Sequence, residues 1–110
     1  MYDEKDFYTW TSSSNISFGH MFYWTYHGLR IAVTDSAMRE LIKEGKGLNF
    51  IVKVLEDGYD APRRRKKGTI EKWMNKGNKT FNVVVVKDYD EVMKEECWVL
   101  IHFGKFTRRR

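Results

Sequence analysis

Four consecutive valines at positions 83–86 constrain the fold of this chain more than any other feature of its sequence. They belong to "TFNVVVVKDY", in which β-branched and aromatic residues favour a strand. Because the apolar run does not alternate with polar residues, it predicts a central strand that is buried on both faces. "CWVLIHFGKF" predicts a second strong strand, and we expect residues 83–86 and 99–101 to pair antiparallel in one sheet.

Two amphipathic helices are predicted between residues 35 and 57. In "DSAMRELIKEGKG", Asp35 or Ser36 is expected to cap the first helix, and Gly45 and Gly47 are expected to end it. The apolar face of this helix consists of Ala37, Met38, Leu41 and Ile42. In "LNFIVKVLEDG", apolar residues at helical spacing predict a second helix that Gly58 ends, with a strand as the alternative because of its β-branched content. These apolar residues are Leu48, Ile51, Val52 and Leu55.

The remaining segments predict further strands. Alternation indicates a strand at 29–34, and an aromatic run indicates one at 21–26, with a tight turn at His27-Gly28 between them. "GTIEKWMN" predicts another strand, and "NKGNK" predicts a turn. This order predicts a small α+β domain, an antiparallel sheet with both helices on one face. We expect the domain to span residues 21–107, after an aromatic and polar extension at 1–20 and before a basic tail at 108–110.

Composition narrows the class of protein. The chain has 110 residues, enough for one domain, and 42 % apolar residues, enough for a core. No apolar run approaches the roughly 20 residues that cross a bilayer, so no membrane partner is expected.

The single cysteine, Cys97, is typical of a reducing compartment, so we expect a cytoplasmic protein with Cys97 in its core. The histidines have no metal-ligand spacing, and we expect neither metal nor cofactor. The absence of glutamine and the many Lys and Glu residues are typical of a thermophile.

Positive charge is concentrated in two segments. Residues 61–82 contain eight basic side chains and one acidic one, and residues 105–110 contain four more basic ones. The rest of the chain is net acidic, although the whole carries +5. Residues 63–67, "RRRKK", lie between a predicted helix and a predicted strand. We interpret them as a tethered basic loop that contacts the phosphates of a polyanion. The alternative, a solvated surface loop, stays open.

A resemblance adds a functional expectation. "RIAVTDSAMRELIKEGKGLNFIVKVLEDGYD", the basic stretch, "GNKTFNVVVV" and "ECWVLIHFGKF" together resemble a family of short microbial proteins. That family is similar to the RelE/BrnT-like toxins of toxin–antitoxin systems, and the resemblance covers residues 29–106. It implies a small α+β fold and metal-independent cleavage of messenger RNA. Ala37 and Arg39 match an alanine and an arginine of the family, whereas Ser36 stands where histidine is usual and Phe106 lies near a usual closing tyrosine.

The catalytic candidates follow from the chemistry of RNA cleavage. The reaction needs a proton acceptor for the attacking 2′-hydroxyl and cations that stabilise the charge developing on the phosphate. We therefore expect His102, Arg39 and Lys67 to converge on one groove. Alternation along the last strand predicts that His102 lies opposite in phase to Ile101 and Phe103. The alternative is a strand histidine that a neighbour satisfies.

The binding candidates are the basic loop and the aromatic residues near it. The set that we expect to contact nucleic acid is Arg63, Arg64, Arg65, Lys66, Lys72 and Trp73. Trp73 or Phe106 is expected to stack on a base, with packing against the sheet as the alternative for Trp73. Glu71 is expected to pair with the basic loop, and the alternative is a catalytic base.

Three functions fit these observations. The first is a toxin-like, metal-independent endoribonuclease that binds RNA through the basic loop and the sheet face. The second is a non-catalytic nucleic-acid-binding domain on the same scaffold. The third is a protein-interaction module that oligomerises through its aromatic N-terminus. The expected partners are RNA, including messenger RNA on the ribosome, a small acidic antitoxin and a second copy of the chain.

Overall fold

A computed structural model describes residues 7–8, 24–63 and 65–107 of the chain. Within these ranges, seven strands form one sheet and two helices pack on one of its faces. The strands are β1 (Phe7–Tyr8), β2 (Thr25–Tyr26), β3 (Leu29–Thr34), β4 (Tyr59–Asp60), β5 (Thr69–Lys76), β6 (Lys79–Asp90) and β7 (Glu95–Thr107). The helices are α1 (Asp35–Lys43) and α2 (Leu48–Asp57). The α+β prediction is confirmed.

The sheet is mixed, which corrects the prediction that it is antiparallel throughout. The strand order is β1-β3-β7-β6-β5-β4, and β2 pairs with the remaining part of β3. Strands β5, β6 and β7 are antiparallel neighbours, whereas β3 and β7 are parallel. Parallel neighbours require a long crossover. Here both helices and three strands lie between β3 and β7, and strand propensity in the sequence does not reveal the direction in which the chain returns.

The valine run occupies the predicted central position. Strand β6 lies between β5 and β7, and Val83, Val84 and Val85 are at most 1 % exposed. Val85 pairs with Leu100 in antiparallel register, which confirms the predicted neighbour. Burial on both faces explains why this segment needs no polar alternation.

Helix α1 begins one residue earlier than the sequence predicts. The Oγ1 of Thr34 accepts a hydrogen bond from the Ala37 amide at 3.2 Å, so Thr34 is the N-cap in place of Asp35 or Ser36. Ile42, predicted to face the core, is 69 % exposed because the apolar stripe of α1 is narrow and centred on Ala37 and Leu41. Helix α2 is confirmed as a helix, and it ends at Gly58 as predicted.

Glycines form the two predicted hairpin turns. His27 and Gly28 have φ values of 51° and 78° between the paired residues Tyr26 and Leu29. This is the left-handed conformation that a two-residue hairpin turn requires. Gly77, with φ of 65°, serves the same purpose between β5 and β6. The strand predicted at 21–26 is observed at Thr25–Tyr26, and residues 21–23 lie outside the described ranges.

One extra residue in β7 changes which of its side chains lie on the sheet face that the helices do not cover. Val84 pairs with His102 and Val85 pairs with Leu100, so Ile101 is the additional residue of a β-bulge. Beyond the bulge, Phe103 joins the core beneath the helices, and His102 lies on the far face, which is the sheet face opposite α1 and α2. The predicted opposition of His102 and Phe103 is confirmed. The predicted opposition of His102 and Ile101 is wrong, because the bulge interrupts the alternation and Ile101 packs against Val99 on the far face.

A buried ion pair ties β3 to the hairpin of β6 and β7. Arg30 donates through Nη2 to Asp90 at 2.6 Å and through Nε to Glu95 at 2.9 Å. Asp90 also accepts hydrogen bonds from the amides of Val92 and Met93 in the hairpin turn. Arg30 and Asp90 are 4 % and 2 % exposed, so this contact crosses the sheet away from solvent.

The N-terminal segment contributes to the sheet. Phe7 pairs with Thr34 and Tyr8 with Val33, so β1 extends the sheet into the region predicted as an extension. The polar stretch at 11–15 and the basic tail at 108–110 lie outside the described ranges. In the part of the chain that the structure describes, no helix is long and apolar enough to cross a membrane.

Leu55 offers a direct test of the helix packing. It is 1 % exposed and belongs to the core between α2 and the sheet. Leu55→Ala is expected to lower the free energy of unfolding by about 2–5 kcal/mol, because it removes buried methyl groups and leaves a cavity. Chemical denaturation measures the change, with the exposed Ile42→Ala as the matched control. A loss below about 1 kcal/mol would contradict the packing described here.

Candidate nucleic-acid interface

A buried carboxylate organises the far face. The Glu71 side chain is 1 % exposed. Arg63 donates to both of its oxygens, through Nε at 3.1 Å and Nη2 at 3.0 Å, and Arg65 donates through Nε at 2.8 Å. Trp73 Nε1 donates at 2.8 Å, and Asn82 Nδ2 donates at 3.4 Å. Glu71 therefore connects the basic loop to β5 and β6.

The same contacts keep Glu71 ionised. Burial alone would raise the pKa of its carboxyl group, but hydrogen bonds from Arg63, Trp73 and Arg65 lower the pKa to about 2. A carboxylate with so low a pKa is a weak proton acceptor, and its oxygens are already occupied. The pairing predicted between Glu71 and the basic loop is present, and the alternative role as a catalytic base is disfavoured.

The basic loop is held at both ends by backbone hydrogen bonds. The Ala61 amide donates to the Glu71 carbonyl at 3.1 Å, and the Lys87 amide donates to the Gly68 carbonyl at 2.8 Å. A surface cavity of about 460 Å³ lies between the loop and β5, and Pro62, Arg63, Arg65, Ile70 and Glu71 are among its lining residues. The loop is therefore tethered to the domain, as its position in the sequence predicts.

Three aromatic side chains form a row across the far face. The ring centroids of Trp73 and Phe106 are 5.0 Å apart, and those of Tyr59 and Trp73 are 6.3 Å apart, with edge-to-face geometry in both pairs. Phe106 is 41 % exposed and Tyr59 is 46 % exposed. The Tyr59 hydroxyl donates to Asn75 Oδ1 at 3.1 Å, which fixes one end of the row. We call Tyr59, Trp73 and Phe106 the aromatic row.

His102 and Asn82 lie together above a glycine beside the aromatic row. A Cβ atom placed on Gly104 would be 2.8 Å from both Asn82 Oδ1 and His102 Nε2. That distance is shorter than a nonbonded contact allows, so the two side chains occupy space that only glycine leaves open. His102 is exposed to solvent at this position.

The structure brings some of the predicted residues together and separates others. Arg63, Arg65, Trp73 and His102 meet on or beside the far face, and Lys66 and Lys67 are exposed in the same loop. Lys72 alternates with Glu71 and lies on the other face, where its Nζ donates to Asp60 at 2.8 Å. Arg39 lies on α1, on the opposite side of the sheet from His102, and pairs with Asp35 at 2.6 Å. Arg64 lies outside the described ranges.

Sequence reasoning missed Asn82, Gly104 and Tyr59. Asn82 carried a detectable signal, because a single amide beside four valines in a central strand needs a polar partner. Gly104 carried a weaker one, since a glycine inside a strong strand marks a close approach of another group. Tyr59 had no signal, because its contact with Trp73 depends on the pairing of β4 with β5.

Two other chemistries find no support among the described residues. No group of three or more His, Cys, Asp or Glu side chains in the ranges that the structure covers is arranged to hold a metal ion. Cys97 is fully buried, and burial raises the pKa of its thiol to about 11. A thiol with this pKa stays protonated at neutral pH and is a poor nucleophile.

Comparisons of the chain with protein-family models, with curated proteins and with solved structures found no match. The resemblance to RelE/BrnT-like toxins therefore stays a prediction. The fold and the far face define a small α+β protein with aromatic and cationic side chains on one sheet surface.

Proposed function

We propose that this protein binds a single nucleic-acid strand across its far face. The observation that carries the proposal is the position of the aromatic row beside two guanidinium groups. An exposed aromatic ring on a sheet stacks with bases irrespective of sequence, whereas guanidinium and ammonium groups contact the phosphates between them. Single strands suit this surface because their bases are free to leave the stack.

The described charges of the basic loop divide into two groups. Arg63 and Arg65 are held by Glu71, yet the Nη1 of Arg63 and both terminal nitrogens of Arg65 make no hydrogen bond within the described residues. Each guanidinium can therefore keep its contact with Glu71 and donate to a phosphate at the same time. Lys66 and Lys67 are exposed and add point charges nearby.

Phe106→Ala tests the proposal with little risk to the fold. Loss of one stacking platform is expected to weaken binding of a labelled single-stranded oligonucleotide by about 1–3 kcal/mol, which is roughly 5- to 150-fold. The matched control is Ile42→Ala, which removes an exposed apolar side chain from the opposite side of the sheet. Fluorescence anisotropy measures both affinities. Equal affinities of the two variants would show that the aromatic row does not hold bases.

Cleavage of the bound strand is a second candidate function. The observation that favours it is the exposed imidazole of His102 on the same face as the two arginines. An imidazole accepts or donates a proton near neutral pH, and cations stabilise the charge that develops on the phosphate. Arg39 has no part in this arrangement, because it lies beyond the sheet. The cationic part of the chemistry would come from Arg63, Arg65 and Lys67.

A further inference from the structure

We propose that Asn82 and His102 recognise the ribose 2′-hydroxyl, so that the far face selects RNA over DNA. This inference rests on the proposed binding of a single strand and deepens it. The two side chains converge above Gly104, one position away from the aromatic row, where a stacked nucleotide would place its sugar.

The orientation of the Asn82 amide is fixed by Glu71. An ionised carboxylate only accepts hydrogen bonds, so the amide must turn its Nδ2 group towards Glu71, where the two atoms are 3.4 Å apart. The Oδ1 atom consequently points away from Glu71, towards Gly104 and His102. Because Glu71 is ionised, the Asn82 side chain presents a hydrogen-bond acceptor, and not a donor, above Gly104.

The presented acceptor lacks a partner. Asn82 is 6 % exposed, and its bond to Glu71 is the one hydrogen bond of this side chain within the part of the chain that the structure describes. Among the described residues, Arg30 Nη1 is the one buried side-chain nitrogen or oxygen without a hydrogen-bond partner, so Asn82 Oδ1 stays reachable from solvent and a ligand that supplies a donor can bind it. The ligand group that fits must therefore donate to Asn82 Oδ1.

His102 supplies the second hydrogen-bonding atom of the proposed site. Its Nε2 atom lies as close to Gly104 as Asn82 Oδ1 does, and when this nitrogen carries a proton it donates. A group bound between them must donate to Asn82 and accept from His102. A hydroxyl does both, and the 2′-hydroxyl is the group that distinguishes RNA from DNA. A 2′-deoxy sugar would make neither of these two hydrogen bonds.

Trp73 places the sugar at the right distance from this pair. Trp73 is directly opposite Asn82 in the register of β5 and β6, and Asn82 is directly opposite Gly104 in the register of β6 and β7. Directly opposed side chains lie about 5 Å apart. A base held by Trp73 and Phe106 would therefore bring its own ribose over Asn82 and His102.

The test compares three labelled oligonucleotides of one sequence: RNA, DNA and 2′-O-methyl RNA. RNA is expected to bind the wild-type protein about tenfold more tightly than either of the others, which corresponds to two hydrogen bonds. Gel analysis after each titration checks that the RNA is intact. Tight but equal binding of RNA and DNA would overturn this inference and leave the proposed function standing. Failure of all three to bind would overturn both.

Two variants separate hydroxyl recognition from general binding. Asn82→Ala and Gly104→Ala are each expected to lower the affinity for RNA to that for DNA, while the affinity for DNA changes less than twofold. In Gly104→Ala the added methyl group displaces both side chains without removing either. Circular dichroism identifies a variant that fails to fold, and the affinities of the variant that does fold then test the assignment. A preference for RNA that survives in both folded variants would contradict the assignment.

Discussion

Replacing both Arg63 and Arg65 with glutamine is expected to lower the free energy of unfolding, although both residues lie in an exposed loop and solvent screens part of their attraction to Glu71. Removing one side of a buried ion pair leaves the other charge without compensation. Here that charge is Glu71, whose side chain is 1 % exposed and would keep only its bonds from Trp73 and Asn82. Urea denaturation followed by tryptophan fluorescence measures the change.

A rescue experiment identifies the cause. Adding Glu71→Gln to the double variant removes the uncompensated charge and is expected to restore most of the lost stability, because the effects of residues in one network are not additive. Lys66→Gln with Lys67→Gln is the matched control in the same loop, since no hydrogen bond or ion pair holds these two side chains within the described residues. Stability equal to wild type in the arginine variant, or no rescue, would contradict the role assigned to Glu71.

The variant in which Lys66 and Lys67 are both glutamine also measures how charge contributes to binding, without the loss of stability expected for the arginine variant. If both lysines contact phosphates of a single strand, their loss should reduce the slope of log K against log salt by about 1.4 units. The sequence alone predicts that the whole basic loop can be neutralised without unfolding the domain, and this stays a prediction. The contacts of Arg63 and Arg65 with Glu71 add the expectation of a lower stability, because the two arginines compensate the charge of a buried carboxylate.

If the protein cleaves RNA, His102→Ala is expected to slow cleavage by about 10²–10⁴-fold, because general acid–base help of this kind is worth that factor. The affinity for RNA should fall by no more than about tenfold, which is the full preference expected from the two hydrogen bonds to the 2′-hydroxyl, of which His102 makes one. The assay follows a labelled single-stranded RNA on a gel with EDTA present, since the proposed chemistry uses no metal. A rate that falls only as far as the affinity does would place His102 in binding and not in catalysis.

Arg39→Ala is the matched control for this experiment. Arg39 lies on α1, where it pairs with Asp35 beyond the sheet. It should therefore leave both the rate and the affinity unchanged. Wild-type protein that binds RNA and never cuts it, including on translating ribosomes, would remove cleavage and leave the binding function.

The sequence predicts the elements of this fold well because each is encoded locally. The valine run, the amphipathic spacing of α2 and the glycines at 28 and 77 all depend on neighbouring residues. The parallel pairing of β3 with β7 does not, since it is decided by a crossover that spans most of the chain. The exposure of Ile42 likewise depends on how α1 is rotated about its axis against β3 and β7. The spacing of apolar residues in α1 does not fix that rotation closely enough to decide whether Ile42 faces the core.

The candidate site was only partly predictable for a related reason. Charge and aromatic composition pointed to Arg63, Arg65 and Trp73, but their contacts depend on which face of β5 each side chain occupies. Arg39 and Lys72 have suitable chemistry and lie on the wrong side of the sheet. The bulge at Ile101 could not be foreseen, because a single extra residue in a strand leaves no clear pattern in the sequence.

The contact of Arg30 with Asp90 has a consequence for the order in which the domain assembles. The two residues are 60 positions apart in the chain, whereas β5, β6 and β7 are joined by short turns. Local hairpins form within about 1–10 μs, but closing a long loop costs entropy before any contact offsets it. Both charges must also lose their water before their attraction is complete. We therefore expect β3 to dock last, although it leaves the ribosome before β5, β6 and β7. It would dock onto three antiparallel strands that already carry Glu71, Asn82 and His102. Folding and unfolding rates of Arg30 variants would report this order, with the change falling on unfolding.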